Sequence, residues 1–489
     1  MLPPRFGLLL VSVVCLAVIL ARCGGGSAPT PPPPSPTQIK HVVIIVQENR
    51  TPDNLFQGLC SANGGVPGCG TGTAQYDIAS QGLTSSGTMI PLTPVSLGTN
   101  YDLGHTHSSF LEACDYNAST NTCAMDGANT NSCAPVQNCP ANPEYQYVQP
   151  SDVEPYLTMA GTYTFGDHMF QSNQGPSFPA HQYIISGTSA ISATSTISVS
   201  ENPGDNLRTD GTYGAGCLAP PGAKVGGIDT SQPSPETPPT VINYPLCFEH
   251  PTLTDLLDAA NLSWKYYAPS AGSIWTAPDA IEHMCQPSGP ADANACSGPD
   301  WTNADPKVVI EGSGAQILTD ISSGQLAAVS WVIPAGQNSD HAGYPDDNGP
   351  SWVAAIVNAI GQSPYWADTA IIVSWDDWGG WYDHVPPSQI RDSYEYGFRV
   401  PLIVISAYAK PAYISHVTHD FGSILKFVET VFALGEIDPA VGYADSRSDN
   451  LSDCFNFSQT PLVFTPISAS QDAKHFLNDK SPPTPPDND

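Results

Sequence analysis

The run Val42–Val46 has no polar residue in it, and it passes without a turn signal into Gln47, Glu48, Asn49 and Arg50. A strand with one wet face alternates apolar and polar residues. An unbroken apolar strand has to be covered on both faces, which is the condition inside a parallel sheet sandwiched by helices. Further aliphatic runs occur at 183–185, 327–333, 369–373 and 401–405. Helical periodicity occupies 252–262, 351–361 and 420–434, with Thr252 and Asp420 placed as N-caps. Strands interleaved with helices predict an α/β fold with a mostly parallel central sheet covered on both sides. In such sheets ligands bind beyond the carboxyl ends of the strands, so the residues that follow each strand carry the functional information.

Two strand ends carry hard oxygen ligands. Glu48 and Asn49 follow the first strand, and "SWDDWGGWYDHVPP" after 369–373 brings Asp376 and Asp377. Crowded carboxylates repel one another unless a cation sits between them, so these four residues are candidate ligands for one divalent metal. All-oxygen ligation suits Mg, Ca or Mn, while Zn and Fe also accept carboxylates. In "QGPSFPAHQYIISGT", Pro179 sits where a first-turn proline would, which puts Ser177 near a helix amino end. Unpaired amides and the helix dipole there stabilise an alkoxide or a bound phosphate. Of the twelve histidines, His105, His107, His283, His341 and His384 stand in distinctive local contexts. Phosphoryl transfer needs positive charge on the equatorial oxygens and a proton for the leaving group, and histidine supplies either. The residues alone do not choose among the five.

Composition narrows the partners. With 46 acidic against 15 basic residues the formal charge is −31, so nucleic acid is not an expected partner. Arg5 followed by the apolar stretch Phe6–Leu20 reads as an export signal over residues 1–23, too short for a membrane span. Leu20-Ala21-Arg22-Cys23 resembles a lipoprotein processing site, with Arg22 standing where a small residue is preferred. A membrane tether through Cys23 and free secretion both stay open, and the expected location is periplasmic, outer-membrane-anchored or extracellular. Residues 24–38 form a Pro-rich spacer, 39–475 the catalytic domain, and 476–489 a Pro/Asp-rich tail expected to be disordered. Export agrees with loop-stapling cystines, for which the near pairs are Cys60/Cys69, Cys114/Cys123, Cys133/Cys139 and Cys285/Cys296. Cys217 and Cys247 make a fifth pair, leaving Cys454 alone.

The ordered set "IKHVVIIVQENRTPDNLFQG", "DLGHTHSSF", "FGDHMFQSNQGPSFPAHQYIISG", "HPTLTDLLDAANLSWKYYAP", "WDDWGGWYDHVPP", "GFRVPLIVIS" and "SHVTHDFGSILKFVETVFALG" spans roughly 39–435. It resembles the bacterial phosphoesterase family that contains phosphatidylcholine-type phospholipases C and respiratory-burst-inhibiting acid phosphatases. The resemblance implies an alkaline-phosphatase-like α/β/α core and one metal held by Glu48, Asn49, Asp376 and Asp377. It implies Ser177 as a nucleophile that forms a phosphoseryl intermediate. His105, His283 and His341 would contact the phosphoryl oxygens or protonate the leaving group, with His105 preferred over His107. His384 and Arg399 read as architecture. The phospholipase branch usually carries Thr at the nucleophile position, Asp-Glu in the late motif and a long carboxy-terminal extension. Ser177 and Asp376-Asp377, with the short stretch after 435, therefore set the first expectation as an exported acid phosphatase acting on a small phosphorylated substrate. A phospholipase C acting on a phospholipid head group is the alternative, with "WDDWGGWY" as an apolar rim. A catalytically silent binding module is a third reading.

Overall fold

The computed structural model describes Met1 and residues 38–486, apart from 60–76, 118, 121, 132, 134–137, 205–213, 232–243, 287–295, 313–314 and 389–395. The expected leader and spacer, and the Cys60/Cys69 pair, lie outside the described residues but for Met1 and Gln38.

Among the described residues eight strands form the central sheet: β1 (His41–Gln47), β2 (Thr164–Gly166), β3 (Trp264–Ala268), β4 (Val308–Ile310), β5 (Val329–Val332), β6 (Thr369–Trp375), β7 (Leu402–Ser406) and β8 (Tyr413–Ser415). Their order is β4-β3-β5-β1-β6-β7-β2-β8. Only β7 runs against its neighbours β6 and β2; the other pairings are parallel. The mostly parallel expectation therefore holds, and the 401–405 run is its one reversed member. The central strands β1, β6 and β7 are buried along nearly their whole length, as continuous apolar runs require.

Register shows the layering. Ile44 pairs with Trp331 and with Ile372, so these three share a face, and Trp375 points to the opposite one. Helices α1 (His107–Cys114), α2 (Glu154–Thr162), α3 (Ser177–Ser186), α4 (Leu253–Ala259), α5 (Gly349–Gly361), α6 (Phe421–Phe432) and α7 (Ala473–Asn478) accompany the sheet. The Trp331 indole donates to the Ile184 carbonyl of α3 at 3.3 Å, while Trp375 packs edge-on against Tyr156 of α2 at 5.0 Å. Helices thus cover both faces, giving three α/β/α layers.

Two expectations are corrected. The run 183–185 is the end of α3, a helix with all ten residues buried. A short apolar run inside a fully buried helix has no periodicity to separate it from a strand. The tail expected to be disordered from 476 is packed through residue 486. Phe476 is buried against Trp352, the Gly336 N–H donates to the Thr484 carbonyl at 3.0 Å, and the Tyr344 hydroxyl donates to the Pro485 carbonyl at 2.6 Å. One buried aromatic and a few backbone bonds suffice to order a proline-rich segment with little entropy to lose.

Among the described residues four disulfides are seen, Cys114–Cys123, Cys133–Cys139, Cys217–Cys247 and Cys285–Cys296, with Cys454 free and buried. Such stapling agrees with export to an oxidising compartment. Among the described residues no helix is long and apolar enough to cross a membrane.

Candidate active site

Three adjacent parallel strands deliver the site. Gln47 pairs with Trp375 at the ends of β1 and β6, so Glu48-Asn49 and Asp376-Asp377 leave the sheet side by side. From the end of β5, on the other side of β1, the chain runs through Ile333 to Asp340 and His341.

The turn after β1 is bent sharply. Asn49 adopts a left-handed conformation with φ of 60°, which asparagine tolerates better than most residues. Its N–H donates to Asp376 Oδ1 at 3.0 Å, as does the Asp377 N–H at 2.7 Å. Gly379, also at positive φ, donates its N–H to Asp377 Oδ1 at 2.7 Å, and a Cβ there would stand 2.3 Å from the Asn49 carbonyl oxygen. Only glycine fits this contact, which fixes the two strand ends against each other.

Ser177 is the first residue of α3 and is buried. Its hydroxyl donates to Asp377 Oδ2 at 3.1 Å and faces Asn49 Oδ1 at 3.4 Å. One helical turn on, His181 is fully buried, with Nε2 lying 3.2 Å from Glu48 Oε1 and 3.7 Å from Asp376 Oδ2. Spacing i, i+4 puts Ser177 and His181 on the same face of the helix. The sequence pattern alone does not mark this histidine.

Glu48, His181 and Asp376 each offer a donor atom, all within 4.8 Å of one another. Both Glu48 oxygens, Asp376 Oδ2 and both His181 nitrogens are buried without hydrogen-bond partners. Burial, then the charges of Asp376, Asp377 and Asp340, hold the Glu48 carboxyl well above its ordinary range. Asp377 is likewise pushed up by burial and then by Asp376. Such a group keeps its charge only opposite a cation, and its donor atoms fit one. The expected set of four oxygen residues thus divides. Glu48 and Asp376 meet His181, while Asn49 and Asp377 meet at Ser177. A nitrogen ligand moves the preference from Mg and Ca toward Mn, Fe and Zn.

The expected histidines separate as well. The Asn49 amide Nδ2 lies 3.1 Å from His105 Nε2, and the other ring nitrogen lies 2.8 Å from the Leu103 carbonyl. His341 stands next to His105, with ring centroids 6.0 Å apart, and packs on Trp275 and Tyr344. His107 turns its ring into a buried setting that lowers its pKa to about 4. His283 is a correction: it is half-buried and paired with Glu249 at 2.9 Å and Asp255 at 3.4 Å, away from the cluster in every described contact. Its sequence context, "AIEHM", carried no information on which neighbours the fold would give it. His384 bridges Asp53 and Asp77 at 2.8 and 2.9 Å, and buried Arg399 pairs with Asp383 at 2.8 Å. The aromatics of "WDDWGGWY" form no rim: Trp375, Trp378 and Trp381 are all buried. Trp375 donates to Asp340 Oδ2 at 2.9 Å, and Trp381 lies under the Arg50 guanidinium at 4.8 Å.

The Phosphoesterase family model matches residues 39–435. Phospholipase C A of Mycobacterium tuberculosis is 24% identical over 91% of this chain and 81% of its own length. The hemolytic phospholipase C of Pseudomonas aeruginosa is 24% identical over 81% of this chain, which spans about half (53%) of that protein. The non-hemolytic phospholipase C of Burkholderia pseudomallei is 27% identical over 37% of this chain and 32% of its own. The crystal structure of a protein in the alkaline phosphatase superfamily from Vibrio parahaemolyticus covers 86% of this chain and 72% of its own, at 10% identity and TM-score 0.36. The chain belongs to the Phosphoesterase family, the hydrolases of phosphoric ester bonds.

Proposed function

We propose that this chain is an exported, metal-dependent phosphodiesterase of the phospholipase C type, cleaving the bond between a phosphorylated head group and its glyceride. The observation that carries the substrate class is the similarity over 91% of the chain to a phospholipase C. This displaces the acid phosphatase expectation, which rested on Ser177 and Asp376-Asp377 in place of Thr and Asp-Glu and on the short stretch after 435. Both pairs are chemically equivalent as nucleophile and carboxylate ligand, so they discriminate poorly between the branches.

Within the reading, Ser177 is the nucleophile. The Asp377 carboxylate accepts its hydrogen bond and orients Oγ at the end of α3. The amino end of that helix favours the growing negative charge. Glu48, His181 and Asp376 would hold the metal, flanked by Asn49 and Asp377. A bound divalent cation supplies polarisation of a phosphoryl oxygen and a lowered hydroxyl pKa. His105, held by Asn49 and Leu103, and His341 beside it line the side of the site where phosphoryl oxygens would lie.

Hydrolysis of p-nitrophenylphosphorylcholine and p-nitrophenyl phosphate, followed side by side from pH 4 to 8 with and without chelator, tests the reading. Preference for the choline diester is expected. Preference for the monoester would restore the phosphatase reading, and metal-reconstituted protein inert on both would leave a silent binding module.

A further inference from the structure

The loop Ser200–Asn202 follows the strand Ile197–Val199 and lies across the start of α3. The Phe178 N–H, in the first turn, donates to Asn202 Oδ1 at 2.9 Å. Gly175, just before Ser177, lies so near this loop that a Cβ would meet the Ser200 carbonyl at 2.3 Å. On its other side, Glu201 Oε2 accepts the His107 N–H at 3.3 Å, the first amide of α1. The loop therefore joins two helix amino ends: Asn202 and Ser200 meet the one carrying Ser177, and the Glu201 carboxylate takes the first amide of the other, which begins just after His105. Glu201 is closely surrounded yet keeps some exposed surface, unlike the fully buried carboxylates around Ser177.

We propose that Glu201 is the general acid–base residue of the phosphoester reaction, an assignment that rests on the reading of Ser177 given above. In the first half-reaction Ser177 Oγ forms a bond to phosphorus and its proton passes to Asp377 Oδ2. The bond from phosphorus to the leaving oxygen breaks, and that oxygen takes the proton of the Glu201 carboxyl. In the second half a water oxygen bonds to phosphorus and gives its proton to the Glu201 carboxylate. The phosphorus–Oγ bond breaks, and Ser177 recovers its proton from Asp377.

The surroundings suit both roles. Burial raises Glu201 to about 7, against the opposing pull of the His107 N–H and His105. A group that titrates there can give and take a proton at working pH. His105 is the titratable side chain that acts on it, and Asp377 interacts with His105 in turn; His107 meets it through its backbone N–H. His107, neutral at that pH, is a poor acid, and both nitrogens of His105 are engaged.

The test is E201Q, which keeps an acceptor oxygen for the His107 N–H. Nitrophenolate leaves without a proton, so E201Q should release a burst of p-nitrophenol from p-nitrophenylphosphorylcholine at a rate within about fivefold of wild type. It should then stall at one equivalent per enzyme. Turnover of short-chain phosphatidylcholine, whose leaving alkoxide needs a proton, should fall about 10²–10⁴-fold. E201D should recover part of that loss. Equal slowing of burst and lipid turnover, or no slowing of either, would overturn the assignment of Glu201. Wild-type protein inert on both esters would instead overturn the phosphoester reading beneath it.

Discussion

Ser177 and His181 occupy successive turns of one helix and face two different groups of donors. That division makes their substitutions separable. His181→Asn removes the nitrogen donor facing Glu48 and Asp376 while leaving the Ser177–Asp377 hydrogen bond in place. Affinity for Mn or Zn, measured by titration of chelated protein, should drop at least about tenfold. Unchanged affinity would remove His181 from the metal site. Most of the remaining site was legible from the sequence, because strand ends and a helix start mark Glu48, Asn49, Asp376, Asp377 and Ser177 directly. His181 is not marked by the sequence pattern, because a histidine inside a fully buried helix reads the same whether it packs in the core or faces a strand end. His283 was misplaced because a histidine's partners depend on long-range packing, here with Glu249, that a local motif does not encode.

At the scale of elements, the turns leaving β1 and β6 act as one unit. Gly379→Ala forces a side chain onto a left-handed backbone and against the Asn49 carbonyl. It should cost at least about 1–2 kcal/mol of stability and displace Asn49 from Ser177. Thermal unfolding and kcat/KM should therefore fall together. The loop after β6 is pinned a second time, by His384 between Asp53 and Asp77. Burial alone would lower its pKa, but these hydrogen bonds outweigh it and raise the imidazole to about 10. A folded-state pKa above the unfolded value near 6.5 means the stabilisation is complete below pH 6.5 and fades as pH climbs toward 10. His384→Ala should thus lower the melting temperature most at pH 6, with the gap to wild type shrinking by pH 9.5. A gap independent of pH would show that packing, not charge, holds this loop. The network was hard to read in advance because Asp77, Asp53 and His384 are scattered along the chain and meet only in the fold.

For the molecule as a whole, the sheet could be anticipated at its centre and not at its margins. The continuous apolar runs of β1, β5, β6 and β7 announce themselves. The edge strands β4 and β8, and β2 beside β8, are three residues long each, and β3 reads Trp-Lys-Tyr-Tyr-Ala, a pattern that alternation does not pick out. The center of the sheet is also where a cation would act on global stability. Chelation should lower the melting temperature, and Mn or Zn at a hundredfold excess over its Kd should return about 2.7 kcal/mol. The covalent step offers the most direct test of the account. Enzyme mixed with p-nitrophenylphosphorylcholine, quenched in acid within the first turnovers and mapped by mass spectrometry, should carry phosphocholine on Ser177, and Ser177→Ala should carry none and release no nitrophenol. Turnover by Ser177→Ala comparable to wild type, or an adduct on any other residue, would contradict the assignment of Ser177 as the nucleophile.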